Sequence, residues 1–239
     1  MNVPSITNFR QSIITNCLIM CGGLILISPA SASAGAWLPR AGATQIIANS
    51  YITSGVNSPL NGDVEIYAEH GLTDNFALIM QATASDFRNR NVGGNIVGSI
   101  RIPVRTLSNW QSSIQLGAIG AKSDRFRDFD TGVEARLALG RGFSNGYWID
   151  GEFGIRNFRD KNLNFWEAAV GKQLSGGDMV ILKGFGDNYL TSVFKTKAQL
   201  SYVHDFNSDW AFEIGIRFDF KSYNDAPAQG AIIGLWRRF

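Results

Sequence analysis

The chain has 239 residues, with 22 basic and 20 acidic side chains, two cysteines and two histidines. A formal net charge of +2 gives no electrostatic basis for binding nucleic acid, and 12% aromatic residues argue against intrinsic disorder. Both cysteines, Cys17 and Cys21, lie near the amino terminus, which excludes a disulfide scaffold or a cysteine-ligated zinc site elsewhere. Two histidines are too few for a multi-histidine metal site, so we predict neither metal nor cofactor.

Residues 1–34 are predicted to be a cleaved secretory signal peptide. Arg10 is their only charge, Cys17–Ile27 is a short apolar run, and Ala32-Ser33-Ala34 fits the cleavage pattern of such signals. The apolar run is too short to cross a bilayer comfortably as a helix. We therefore expect a mature chain of residues 35–239 that forms one domain.

From Gly35 onward the chain divides into segments of about ten residues in which apolar and polar side chains alternate. In Trp210–Phe220, for example, Phe212 and Ile214 lie on one parity and Glu213 and Arg217 on the other. A period of two is typical of β-strands, and this length suits a tilted strand that crosses a membrane. The twelve predicted strands are 44–54, Val64–His70, 76–84, Asn95–Val104, Ser112–Ala121, Val133–Leu139, Tyr147–Arg156, 163–173, 179–187, Phe194–His204, Trp210–Phe220 and 229–239.

The connections between these strands alternate between two kinds. Short turns such as Leu72-Thr73-Asp74-Asn75 and Phe143-Ser144-Asn145-Gly146 carry the residues that tight hairpins require. Longer connections, such as 85–94 and 122–128, are more charged. This asymmetry is typical of outer-membrane barrels. The sequence therefore predicts an all-β fold, a twelve-stranded antiparallel transmembrane β-barrel, with both termini on the periplasmic side.

Aromatic side chains gather at the predicted strand ends, as expected where rings meet lipid headgroups. Those near the short turns are Phe76, Trp110, Tyr147 and Trp210, and those toward the longer loops are Phe87, Phe126, Phe158, Phe165, Trp166, Tyr189, Phe194 and Tyr223. A soluble β-sandwich shows the same alternation, but its polar parity is exposed to water. Here that parity carries charges of both signs, which can pair with one another inside a closed barrel.

The charged side chains of the polar parity are the candidate lining of the lumen. They are Glu65, Glu69, Arg101, Glu134, Arg136, Asp150, Glu152, Arg156, Glu167, Lys183, Lys195, Lys197, Glu213, Arg217 and Asp219. Lys183, Lys195 and Lys197 would form a basic ladder opposite an acidic wall of Glu65, Glu69 and Glu134. Such opposed rows orient a small solute. Alternatively, the charges pair and fill the interior.

The longer loops carry Arg88, Arg90, Arg125 and Arg127. On the outer surface of a cell these guanidinium groups would bind lipopolysaccharide phosphates, because arginine matches phosphate in a bidentate manner. A solvated loop surface explains the same residues equally well. The loop acids lack the regular spacing of a calcium-binding loop, so no metal is predicted there.

A lipid-modifying enzyme is a further alternative, since such barrels use serine and histidine. Both His70 and His204 lie beside short turns, and His204 is followed by Asp205, Ser208 and Asp209. Neighbours within one turn rarely form a catalytic triad, and hairpin chemistry explains their residue types. We therefore predict no catalytic residues.

The last segment alternates Ala231, Ile233 and Leu235 and ends at Phe239. This resembles the carboxy-terminal signature of bacterial outer-membrane barrels that the barrel assembly machinery reads. Gly35-Ala36-Trp37 and Gly71-Leu72-Thr73-Asp74-Asn75-Phe76 are similar to segments of the MetA-pathway phenol-degradation outer-membrane proteins. That resemblance implies a channel-like or transport-associated barrel and no catalytic residue. We predict a narrow outer-membrane channel for small polar or aromatic solutes, with a closed structural or surface-binding barrel as the alternative.

Overall fold

The structure is a computed structural model that describes residues 35–55, 58–85, 93–104, 109–122, 129–158, 161–189, 195–220 and 228–239. Side chains are described throughout these ranges except at 55, 58–61, 161, 188–189 and 195. All described residues belong to one compact unit of the chain. The predicted signal peptide, residues 1–34, lies outside them.

Twelve strands form the described part of the chain, as the alternation predicted. They are β1 (Thr44–Gly55), β2 (Ser58–Thr73), β3 (Phe76–Ser85), β4 (Gly93–Val104), β5 (Gln111–Lys122), β6 (Asp130–Gly142), β7 (Tyr147–Phe158), β8 (Lys161–Gln173), β9 (Met179–Tyr189), β10 (Lys195–Asp205), β11 (Trp210–Phe220) and β12 (Ala228–Arg238). A 3-10 turn, Ser175–Gly177, precedes β9. None of the described helical residues forms a segment with the length and apolar character needed to cross a membrane.

The sheet closes on itself because β1 pairs with β12, and every other strand pairs with its neighbours in sequence. All pairings are antiparallel, and in the closing pair Ile47 lies opposite Trp236. The backbone N–H of Phe239 donates to Thr44 O at 2.9 Å, so the carboxy-terminal residue is part of the closure. The first and last predicted strands, 44–54 and 229–239, therefore pair, and the predicted closed barrel is confirmed. A closed sheet has no unpaired edge, which is what a membrane requires of strands.

Tight turns join the strands at one end of the barrel, called here the short-turn end. In the turn between β6 and β7, Phe143 N–H donates to Tyr147 O at 2.8 Å, and Gly146 N–H donates to Phe143 O at 3.0 Å. Gly146 has φ of 80°. Glycine adopts this left-handed conformation without steric cost, so the turn needs glycine there. The opposite end, which carries the longer connections, is called the long-loop end.

The outer face of the barrel is apolar. On β6, Val133 and Leu137 are 61% and 54% exposed, whereas Glu134 between them is 2% exposed. The same alternation places Leu116, Ile214 and many other large apolar side chains outside. An apolar outer band around a closed sheet is stable in hydrocarbon and unfavourable in water. The barrel is therefore a membrane-spanning one.

Aromatic residues follow the predicted girdles at the short-turn end, where Phe76, Tyr147 and Trp210 are exposed on the outer face. The prediction for Phe165 is wrong. Its ring lies inside the barrel, beneath the guanidinium groups of Arg136 and Arg156 at 4.8 and 4.7 Å from its centroid. Two stacked cations hold this ring in the lumen, which residue type alone does not indicate.

Near the short-turn end, the side of the lumen formed by β1 and β7–β12 is filled by apolar side chains rather than charges. The buried cluster consists of Ile47, Trp148, Met179, Ile181, Val203, Ala211 and Trp236, with Trp37, Tyr67 and Ala169 packed against it. We call it the apolar floor. Each of these strand residues lies on the inward parity near a short turn, where the prediction expected a polar interior. On that side, the floor restricts the polar part of the lumen to the remaining length of the barrel.

Candidate functional site in the barrel lumen

A buried arginine–glutamate cluster spans β6 and β7. The carboxylate of Glu134 accepts from Nε of Arg136 at 2.5 Å and from Nε of Arg156 at 2.6 Å. Arg136 also reaches Glu152 at 3.4 Å and donates to Gln81 on β3, three strands away, at 2.9 Å. These ion pairs and hydrogen bonds offset the free-energy cost of burying the charges. The cluster therefore links β6 and β7 to β3 through side-chain contacts in the lumen.

A second cluster lies closer to the apolar floor. Arg101 on β4 is 2% exposed, donates to Gln115 Oε1 at 2.9 Å, and lies 3.6 Å from Glu69. Glu69 also accepts from the hydroxyl of Tyr67 at 2.9 Å. Each charge is thus compensated by a charge and by hydrogen bonds.

The described lumen lysines do not form a row of unpaired charges. Lys183 on β9 pairs with Glu167 on β8 at 3.5 Å, and Lys197 on β10 pairs with Asp219 on β11 at 3.9 Å. The side chain of Lys195 lies outside the described part of the structure. The expected ladder facing Glu65, Glu69 and Glu134 is therefore replaced, for the two described lysines, by local ion pairs between neighbouring strands.

Arg217 on β11 lies between two rings. Its guanidinium carbon is 4.4 Å from the ring centroid of Tyr51 and 4.5 Å from that of Phe185. Its Nε is 3.4 Å from Asp219. Stacking of this kind stabilises a cation while leaving its edge available for hydrogen bonds.

Two predicted lumen carboxylates have neutral partners instead of cations. Glu65 accepts from the hydroxyl of Tyr51 at 2.9 Å and from Gln81 at 2.6 Å. Glu213 accepts from Gln199 at 3.2 Å and from the indole N–H of Trp236 at 3.0 Å. Among the side chains that the structure describes, neither has a salt bridge. Six described lumen cations have one each or more: Arg101, Arg136, Arg156, Lys183, Lys197 and Arg217.

These groups surround a cavity of about 430 Å³. Ile47, Tyr67 and Trp236 of the apolar floor line one end, and Asp63, Ser85 and Asp187, close to the long-loop end, line the other. All the predicted lumen residues with described side chains line this cavity except Glu69, Glu134, Asp150 and Asp219. Within the described residues, no group of three or more His, Cys, Asp or Glu is arranged to hold a metal ion.

Asp150 and Glu152 instead meet the segment that precedes β1. The N–H of Ala36 donates to Asp150 Oδ1 at 3.2 Å, and a Cβ on Gly35 would overlap the carboxylate of Glu152. Residues 35–37 therefore lie in the lumen, against the inner face of the barrel wall. This placement is not visible in the sequence, where the segment marks only the start of the predicted mature chain.

The remaining candidates are the four loop arginines and the two histidines. Arg88, Arg90, Arg125 and Arg127 lie outside the described residues. His70 Nδ1 is 2.7 Å from the hydroxyl of Thr44.

His204 contacts Asp178 at 2.9 Å, on the exposed surface near the short turns. The hydroxyl of Tyr202 also donates to Asp178, and this bond, with that from His204, holds the pKa of Asp178 below its usual value. Ser208 donates to Asp209 at 2.7 Å and is not bonded to His204. The described residues thus place His204 in a surface hydrogen-bond network, without the serine that a triad would need.

No family model and no curated protein matches the chain in sequence. Solved structures match it in fold. The NanC porin has a TM-score of 0.61 at 9% identity, covering 80% of this chain and 98% of that one. The KdgM porin has a TM-score of 0.57 at 9% identity, covering 82% and 99%. An outer-membrane channel from Pseudomonas putida F1 has a TM-score of 0.57 at 10% identity, covering 84% and 97%.

An enzyme shares the architecture at somewhat lower similarity. Outer-membrane phospholipase A from Escherichia coli has a TM-score of 0.50 at 10% identity, covering 84% of this chain and 98% of that one. At such identities the likeness concerns the fold alone. This likeness in fold, together with the apolar outer band, identifies the protein as a twelve-stranded antiparallel β-barrel of the outer-membrane type.

Proposed function

We propose that the protein is a narrow channel for the passive passage of small polar solutes across the outer membrane. The observation that carries this proposal is the polar cavity of about 430 Å³ inside a closed barrel, lined by charges that are largely neutralised in pairs. Paired charges with spare hydrogen-bonding groups bind a polar solute weakly, which passage requires. The rings of Tyr51 and Phe185 on the same wall extend the proposal to small aromatic solutes.

Conductance in planar bilayers tests this proposal. The purified protein should give discrete current steps, and proteoliposomes should release small polar solutes faster than large ones. Absence of both from correctly folded protein would refute the channel. A closed structural barrel, favoured by the apolar floor, would then be the better account.

The lumen is also proposed to prefer cations weakly. Glu65 and Glu213 carry charges that no described cation balances at salt-bridge distance, whereas each of the six described lumen cations has an ion-pair partner. Reversal potentials under a KCl gradient should therefore indicate K⁺ over Cl⁻, and Glu65→Gln or Glu213→Gln should reduce that preference. Glu167→Gln, which leaves Lys183 without its ion-pair partner, should move selectivity toward anions more strongly. An outward Leu200→Gln variant serves as the control and should leave selectivity unchanged.

Several narrower expectations remain proposals. Cleavage after Ala34 is consistent with the position of Gly35 in the lumen. Amino-terminal sequencing of the membrane form tests this cleavage. Three further proposals rest on the sequence. They are membership of the MetA-pathway phenol-degradation family, lipopolysaccharide binding by the loop arginines, and recognition of Phe239 by the barrel assembly machinery. Deletion of Phe239 tests the last of these, since it should slow insertion into the membrane.

A further inference from the structure

Arg217 on β11 lines the cavity with both faces of its guanidinium group covered. The rings of Tyr51 and Phe185 lie on either side of it, and the residue is 7% exposed. Its Nε is buried and has no hydrogen-bond partner among the described residues, although Asp219 lies 3.4 Å away. Because both faces are covered, a ligand can reach only the edge of the group. That edge is the part of a guanidinium group that binds a carboxylate in a bidentate manner.

A second cation lies beside this group. Nζ of Lys197 is 6.0 Å from the centroid of the same Phe185 ring and 3.9 Å from Asp219. Asp219 therefore serves both Lys197 and Arg217, and one carboxylate cannot neutralise two cations. A positive charge remains on this part of the wall.

A carboxylate lies one tyrosine side chain away from Arg217. The hydroxyl of Tyr51, whose ring stacks on Arg217, donates to Glu65 at 2.9 Å. Gln81 donates to the other oxygen of Glu65 at 2.6 Å, so two neutral donors hold this carboxylate in place. Each carboxylate oxygen accepts more than one hydrogen bond, which leaves Glu65 able to bind a further donor from the cavity. Groups of opposite charge thus lie at the ring and at the hydroxyl of one tyrosine.

The surroundings of this pair of groups are acidic. Lys183 interacts electrostatically with Glu167, Glu213 and Glu65, and one lysine balances only one of these three carboxylates. Toward the long-loop end, Asp63 and Asp187 also line the cavity. These carboxylates repel a free anion. A solute with a carboxylate group can therefore reach the arginine more easily if it carries its own positive charge.

We propose that the cavity binds small zwitterionic solutes of the amino-acid type, with the carboxylate group on Arg217 and the ammonium group on Glu65. This inference rests on the proposed channel function and names the class of solute that the channel passes. A zwitterion satisfies both groups and adds no net charge to the lumen. Access to Arg217 by its edge alone limits the carboxylate to a few hydrogen bonds, and weak binding of this kind permits release on the other side.

Three solutes with the same four-carbon chain test the inference. At pH 7, 4-aminobutyrate carries both charges, butyrate only the negative charge and butylammonium only the positive one. Each solute is added at constant ionic strength to the protein in planar bilayers, and the fall in K⁺ current with concentration gives its apparent affinity. The affinity for 4-aminobutyrate should exceed that for either analogue at least about tenfold, because each analogue lacks one charge-assisted contact.

Variants at the two ends of the site should change this order in opposite ways. Glu65→Gln should reduce the affinity for 4-aminobutyrate about tenfold, to that for butyrate, and Arg217→Gln should reduce it to that for butylammonium. Glu213→Gln is the matched control, since it removes the same charge from the same cavity without a contact to Tyr51. It should leave the affinity within about twofold. Uptake of labelled 4-aminobutyrate into proteoliposomes should fall in the first two variants and not in the control.

The outcomes separate this inference from the proposed function. If the wild type conducts K⁺ but binds all three solutes equally, or if Glu65→Gln and Glu213→Gln weaken 4-aminobutyrate binding alike, the zwitterion site is refuted and the channel stands. The Glu65 comparison decides this even if Arg217→Gln does not fold. If the folded wild type passes neither K⁺ nor small solutes, the channel function fails, and the site as a transport site fails with it.

Discussion

Neutralising Glu134 tests the buried arginine–glutamate cluster. Its side chain is fully buried and accepts from both Arg136 and Arg156. In Glu134→Gln one amide oxygen can still accept, but the amide nitrogen is a donor that faces a second donor. Removing one partner of a buried ion pair costs roughly 3–5 kcal/mol. Because Arg136 keeps Glu152 and both guanidinium groups stack on Phe165, we expect the lower end, about 3 kcal/mol.

The assay is equilibrium urea unfolding in lipid vesicles, followed by tryptophan fluorescence. Glu167→Gln is the matched control, because the Lys183 and Glu167 side chains of this 3.5 Å pair are 21% and 36% exposed, and the pair should contribute at most about 1 kcal/mol. Adding Arg156→Gln to Glu134→Gln should cost less than the sum of the two single changes, since the variants share one interaction. A Glu134→Gln loss no greater than that of the control would refute the reasoning.

Three further predictions concern the outer face, a turn and a surface carboxylate. Leu137→Arg places a charge on the lipid-facing side of β6 and should destabilise the barrel by about 2–4 kcal/mol in vesicle unfolding, with Leu137→Ala as the control. Gly146→Ala should cost about 1–2 kcal/mol, because φ there is 80°, whereas the same change at Gly98 should cost much less. The lowered pKa of Asp178 means that its stabilisation is present above the ordinary aspartate pKa and is lost as pH falls through the lowered value. The difference in melting temperature between wild type and Asp178→Asn should therefore be present at pH 7 and vanish in acid, and a difference that grows in acid would contradict this.

The architecture was predictable because one physical rule acts on every strand. Lipid outside and polar groups inside impose a period of two, which is visible directly in Trp210–Phe220 and in Val133–Leu139. Turn residues such as Gly146 marked one end of the barrel for an equally local reason. Strand order then followed, since each tight turn joins neighbours and closure pairs the first strand with the last.

The contents of the lumen were less predictable, because they depend on contacts between distant residues. Parity placed Glu134 and Lys183 inside but gave no sign that Glu134 holds two arginines or that Lys183 pairs with Glu167. The ring of Phe165 lies in the lumen because it stacks on guanidinium groups from β6 and β7. Trp37 can pack against the wall only because Gly140 has no side chain. An absent side chain leaves no periodic signal.

The central claim is that alternate residues of each strand face lipid and lumen, and a cysteine scan along β10 tests it most directly. Single cysteines at Ala198, Leu200 and Tyr202 should carry spin labels that collide with oxygen dissolved in the bilayer. Those at Lys197, Gln199 and Ser201 should be shielded from it, since Leu200 is 44% exposed and Ser201 is 2% exposed. Equal oxygen accessibility at both sets of positions, or a reversed pattern, would contradict the account.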